Sequence, residues 1–175
     1  MPLIRLMVAI SLDGFIADEA GGVDWLHPYE DVDWGFADFF SSIGTILSGR
    51  KTYDKARSFD AWPYGDKRMV VLTRRPLDDG APDRVEAYTG DLAALIADLK
   101  RISAGDIWVL GGAEVAREIM RLGLMDRIEL GIIPVLLGRG IPLFGDTGQQ
   151  SLRLLSQRGL SNGILLASYA TTGKQ

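Results

Sequence analysis

Near-continuous apolar runs separated by helix-like stretches are the feature that most limits how this chain can fold. The runs are Ile4–Ser11 (IRLMVAIS), Thr45–Ser48 (TILS), Arg68–Thr73 (RMVVLT), Ile107–Leu110 (IWVL) and Arg127–Pro134 (RIELGIIP). A strand with one wet face alternates polar and apolar residues. A run with little alternation needs cover on both faces, which helices provide when strands and helices alternate along the chain. The expected architecture is α/β: a largely parallel central sheet flanked by helices, built from residues 1–175 as one domain.

The stretches between the runs support this. Leu12–Asp33 carries Asp13-Gly14 and Gly21-Gly22 and reads mostly as a long loop. Trp34–Ser42 predicts a short helix, with Asp33 placed to cap its free amides. Thr52–Arg57 predicts another, and 61–67 a loop. Val85–Ala87 reads as a minor strand. Asp91–Lys100 has apolar residues at 92, 95, 96 and 99 and begins on a capping aspartate, Asp91. Glu114–Leu122 is the next helix, and Gly138–Phe144 is a glycine-rich connection. Leu152–Leu160 and Ile164–Thr171 flank Asn162-Gly163, which predicts an antiparallel hairpin because that pair tolerates the positive φ of a tight turn.

Composition excludes several chemistries. There is no cysteine, so thiolate zinc sites and cysteine nucleophiles are absent, and a single histidine, His27, rules out a two-histidine metal site. No metal site is expected. The 23 acidic and 19 basic residues give a net charge of −4, which argues against a nucleic-acid or membrane-surface binder. No apolar run is long enough to span a bilayer, and the absence of cysteine accords with the cytoplasm.

In parallel sheets, ligands sit beyond the carboxyl ends of the strands. Three such junctions share a character here. Gly49-Arg50-Lys51-Thr52 sets a glycine, two cations and a hydroxyl at a helix start, where unpaired amides suit a phosphate. Thr73-Arg74-Arg75 repeats the hydroxyl and the guanidiniums. Gly111-Gly112-Ala113 offers small residues against which a pyrophosphate can pack. Together they predict a basic edge on an acidic chain and a bound polyanion. Neither a P-loop nor a G-x-G-x-x-G turn after the first strand is present.

The chain resembles the dihydrofolate reductase superfamily. It is most similar to stand-alone relatives of the reductase domain of the riboflavin-biosynthesis deaminase–reductase. The resemblance rests on 11–17 (SLDGFIA), 49–53 (GRKTY), 71–74 (VLTR), 109–114 (VLGGAE) and 134–144 (PVLLGRGIPLF), in that order. It implies a dihydrofolate reductase-like fold and an NADPH-dependent reductase. By the same resemblance, Gly49, Arg50, Lys51 and Thr52 meet the cofactor phosphates, and Thr73, Arg74 and Arg75 the 2′-phosphate. Gly111, Gly112, Ala113, Glu114 and Val115 cradle the pyrophosphate, often around a cis Gly-Gly bond, while Ala9 and Ile16 flank the nicotinamide.

For substrate the resemblance divides. The 49–53 stretch looks like dihydrofolate reductase, whereas 11–17 and 134–144 look like the riboflavin branch. The expected substrate is a small aminopyrimidine or pteridine-like molecule, as in reduction of 5-amino-6-(5-phosphoribosylamino)uracil. Dihydrofolate reduction and a non-catalytic NADPH-binding module are the alternatives. Counting back from Gly49 places Asp33 near the buried acid of dihydrofolate reductases. A free aspartate ionises near pH 3.9, so Asp33 would hold a ring by hydrogen bonds more readily than donate to it, with Asp31 and Asp38 competing for the role. Trp25 and Phe36 are candidates to stack on the ring. Leu152–Leu155 and Ile164–Tyr169 could form an interface, and the resemblance implies a homodimer.

Overall fold

Ile4–Ser11 forms β1, and its side chains are covered on both sides, as its composition requires. The computed structural model describes residues 1–172, so the last three residues of the expected 1–175 domain lie outside the described ones. After β1 come β2 (Phe15–Ala17), a 3₁₀ turn at Asp24–Tyr29, α1 (Phe36–Ser42), β3 (Ile43–Gly49) and α2 (Arg50–Arg57). Then follow β4 (Arg68–Leu72), β5 (Val85–Tyr88), α3 (Leu92–Ile102), β6 (Asp106–Gly111), α4 (Ala113–Arg121) and β7 (Arg127–Ile133). The two-residue β8 (Ile141–Pro142), β9 (Leu152–Gly159) and β10 (Leu165–Thr171) close the chain. No helix among the described residues is long and apolar enough to cross a membrane.

Eight strands form one sheet in the order β5-β4-β3-β6-β1-β7-β10-β9. Only β10 runs against the others, being antiparallel to both β7 and β9. The expected parallel sheet and C-terminal hairpin are therefore both present. Strand alternation sends Ile4, Leu6 and Ile10 to one face, where they pack with Leu95, Leu99 and Ile119 of α3 and α4. On the other face Ile46, Met69, Val71 and Trp108 meet Phe39 of α1 and Tyr53 of α2. Arg5 also lies on that second face, 8% exposed, with Phe39 at 4.6 Å from its guanidinium carbon. It donates to Glu129 at 2.9 and 2.7 Å and to Asp106 at 3.0 Å. Burial works to lower its pKa, but the two carboxylates outweigh that and the net shift is upward.

Two sequence expectations are corrected here. The helix predicted from Trp34 starts at Phe36, because Gly35 at its N-cap takes a left-handed φ of +79°. Asp33 is thus not the cap; it lies two residues before Gly35, whose amide its Oδ1 accepts at 2.7 Å. The 12–33 segment is also less open than a loop: β2 pairs antiparallel with β8, Phe15 opposite Pro142 and Ala17 opposite Ile141. Asp91 does cap α3, accepting from the Ala94 amide at 2.8 Å.

Candidate active site

The three glycine and hydroxyl junctions lie side by side because their strands are neighbours. Gly49 is in register with Leu72 of β4, and Ser48 with Gly111 of β6, so 49–52, 73–75 and 111–115 emerge on one edge. Thr52 Oγ1 accepts the Gly112 amide at 2.8 Å and joins the starts of α2 and α4. Small residues are needed there. A Cβ on Gly49 would come within 3.2 Å of Val115, and Gly111 holds a φ of +140° that L residues rarely adopt. The first-turn amides of Ala113 and Glu114 have no intrahelical acceptor by helix geometry. The exposed Glu114 carboxylate complements the positive end of α4.

The cation set differs from the sequence expectation. Arg50 does not project freely: it donates to Asp54 at 2.7 Å and to the Pro76 carbonyl at 2.8 Å, and meets Asp78 at 3.3 Å. The Asp54 hydrogen bond is the chief cause of its raised pKa. Lys51, Arg74 and Arg75 are exposed and have no ion pair among the described residues. Thr73 Oγ1 accepts the Arg75 amide at 3.1 Å and shapes the turn after β4. The described residues include no cis peptide, so the Gly111–Gly112 bond is trans, unlike the cis bond the resemblance implies.

Beside this edge a cleft of about 670 Å³ opens on the second sheet face. Ala9 of β1 and Phe36 of α1 line it, as do Trp34 and Trp108. Trp25 lies apart from the cleft wall, in the 3₁₀ turn, with its indole N–H buried and unpartnered. Asp33 is exposed and does not line the cleft; Asp31 and Asp38 are exposed as well. Ile16, on β2, packs half-buried against the α3–α4 core.

One further residue joins two distant segments of the chain. Asp13 accepts from the Ser11 hydroxyl at 2.6 Å and from the Gly138 and Leu137 amides at 2.7 and 3.1 Å. The Ser11 hydroxyl is the main reason its carboxyl is held below the usual range; desolvation opposes this, and the two amides add to it. Asp13 thereby fastens the β1–β2 turn to the 134–144 segment, two of the stretches that carry the family resemblance.

Among the described residues no cluster of acids or histidine forms a metal site. The family model of the RibD C-terminal domain matches residues 2–166. YwjB of Bacillus subtilis is 36% identical over 164 residues, covering 92% of this chain and 94% of that one. A crystal structure of a protein assigned to riboflavin biosynthesis from Shewanella sp. PV-4 superposes with a TM-score of 0.88 at 30% identity, covering 97% of this chain and 99% of that one. Dihydrofolate reductase from Enterococcus faecalis, complexed with NADP(H), shares the fold with a TM-score of 0.68 at 17% identity, covering 97% and 96%.

Proposed function

The chain belongs to the RibD C-terminal domain family, and from that premise we propose that it is an NADPH-dependent reductase of a flat aminopyrimidine or pteridine-like substrate. The observation that carries this reading is the meeting of three small-residue junctions on one sheet edge, beside a cleft with aromatic walls. The glycines let these junctions pack closely, since a Cβ on Gly49 would crowd Val115 and Gly111 holds a φ of +140°, and a cofactor would meet them as backbone.

NADPH supplies the hydride when bound. The chain's own residues bind, orient and exclude water. Gly49, Lys51, Ala113 and Glu114 would hold the pyrophosphate through backbone amides and one ammonium. Thr73, Arg74 and Arg75 would take the 2′-phosphate, where guanidinium forks favour NADPH over NADH. Arg50 would act by fixing the 76–78 segment. Ala9 and Ile16 would flank the nicotinamide. Phe36, Trp34 and Trp108 would cover the substrate ring and keep water from its face. Asp33, the acid expected from the sequence to meet the ring's N–H groups, is exposed at the entrance to α1 and does not line the cleft.

Titrating NADPH into the protein, read by tryptophan fluorescence and by thermal stability, tests this. A saturable response with a raised melting temperature is expected, because a ligand bound only by the folded state must stabilise it. No response at millimolar NADPH would overturn it. Loss of NADPH absorbance with dihydrofolate, simple pterins or aminopyrimidines then identifies the acceptor.

The exposed position of Asp33, off the cleft wall, favours a second reading: an NADPH-binding sensor without turnover. Binding without oxidation across that panel would support it, and turnover of any member would exclude it.

We also propose that the protein works as a homodimer in the cytoplasm. All eight residues of β9 are exposed, its outer edge pairs with no strand among the described residues, and Leu152, Leu154 and Leu155 present apolar surface there. A monomeric mass in solution at micromolar concentration would reject the dimer.

A further inference from the structure

The cleft floor is lowest where no side chain raises it. Ala9 of β1 pairs with Gly131 of β7, and Gly131 with Leu166 of β10. Directly opposed residues share a sheet face, and all three line the cleft. The dip over Gly131 is filled by the protein itself: a Cβ there would meet the Trp34 indole at 2.5 Å. The indole thus sits on the bare backbone next to Ala9, the place that the reductase reading gives to the meeting of ring and nicotinamide.

Little holds Trp34 there. It is half-buried, and among the described residues it packs into neither apolar core. Phe36, Phe39, Phe40 and Trp108 lie ring against ring, and Trp34 joins none of those described contacts. Residues 31–34 make no backbone–backbone hydrogen bond among the described residues.

The segment is tethered instead by side chains of the β9–β10 hairpin. Asn162 Nδ2 donates to the Tyr29 carbonyl at 3.3 Å and to Asp31 at 3.4 Å. Arg158 Nη2 donates to the Asp33 carbonyl at 3.5 Å. All three are longer than the usual range of about 2.7–3.2 Å, so each is weak. At the other end Gly35 carries the left-handed φ of +79° at which α1 begins, a joint that glycine resets at little steric cost. A short segment with long tethers, no backbone ladder and a glycine joint opens at low free energy.

We propose that Trp34 is a gate. In the free protein its indole takes the seat over Gly131. A flat ring enters beside Ala9 only when the 31–35 segment lifts the indole from the floor, after which the indole closes over the ring. The gate deepens the reductase reading and rests on it only for what enters.

The probe is 3-methylindole, the tryptophan side chain as a free molecule, read by calorimetry without NADPH. Its affinity should rise from wild type to Asn162→Asp to Trp34→Ala, with about tenfold or more between the ends, because a seat that is rarely open lowers apparent affinity by the open fraction. Trp34→Ala tests the space and Asn162→Asp tests the movement. The aspartate keeps the indole, and its Oδ1 can still accept the Ile164 amide as Asn162 does. It sets a carboxylate against Asp31, so the tether becomes a repulsion. Asn162→Asp should also increase acrylamide quenching of tryptophan emission, and Trp34→Phe should remove that increase. Asn162→Asp indistinguishable from wild type in both readouts would make Trp34 a fixed wall and overturn the proposal. Binding to Trp34→Ala no tighter than to wild type would overturn it as well. NADPH titration of the same proteins separates the two readings. NADPH binding without the graded series keeps the reductase reading and sinks the gate. The graded series without NADPH binding keeps the gate and sinks the reductase reading.

Discussion

The Thr52 hydroxyl accepts the Gly112 amide at 2.8 Å across sixty positions of sequence, and so couples the two helix starts that frame the proposed cofactor edge. Thr52→Val keeps the shape of the side chain and removes the acceptor. It leaves a half-buried amide unpaired, so we predict a loss of about 1 kcal/mol in stability and a several-fold weaker NADPH affinity. Urea midpoints and cofactor titration check this, with Thr52→Ser restoring both. Unchanged NADPH affinity would show that the coupling is structural only.

Arg74 is the exposed guanidinium that directly follows Thr73 at the end of β4. We predict that Arg74→Ala weakens NADPH about tenfold, near 1.4 kcal/mol, and leaves NADH almost unchanged. Equal losses for the two cofactors, measured by competition, would move the 2′-phosphate elsewhere.

Asp13 ties the β1–β2 turn to Leu137 and Gly138 as a carboxylate. Its folded pKa is depressed, chiefly by the Ser11 hydroxyl. Its contribution to stability is therefore fully present above the unfolded value, about 3.9, and is lost as pH falls through the lower folded value. We predict that stability declines below about pH 4 and that Asp13→Asn flattens that part of the profile. Urea midpoints at neutral and acid pH decide it; identical slopes in wild type and variant would remove Asp13 from the account.

Gly131 lies under Trp34 with no room for a methyl group. Overpacking of this kind costs about 1–3 kcal/mol. We predict that Gly131→Ala loses stability in that range and shifts tryptophan emission as the Trp34 indole is displaced. An unshifted spectrum with unchanged stability would mean that the cleft yields elsewhere.

The sheet and the three junctions along its edge were legible because their signals are local. Unalternating runs such as RMVVLT mark strands covered on both faces, and glycines and hydroxyls at their ends mark the junctions. What stayed hidden depends on pairings between distant parts of the chain. Phe15–Ala17 is too short to show a period and becomes a strand only by pairing with Ile141 and Pro142. Asp13 reads as an ordinary turn residue until its amide donors, 124 and 125 positions away, are seen. The start of α1 moved because Trp34 fits a helical pattern while the glycine after it turns left-handed. Arg158 looks like one more polar residue of a hairpin. Counting outward from Asn162-Gly163 could have set it opposite Leu166, though only the β7 pairing carries it over the cleft.

Arg50 stood out in the sequence as a phosphate ligand, yet its bonds go to Asp54, Pro76 and Asp78. Its consequence is entropic. The loop that carries Arg74 and Arg75 is held to α2 before any ligand arrives, so less conformational freedom remains to be lost on binding. A side chain whose own bonds stay within the protein would then govern how quickly and how tightly the loop beside it can bind.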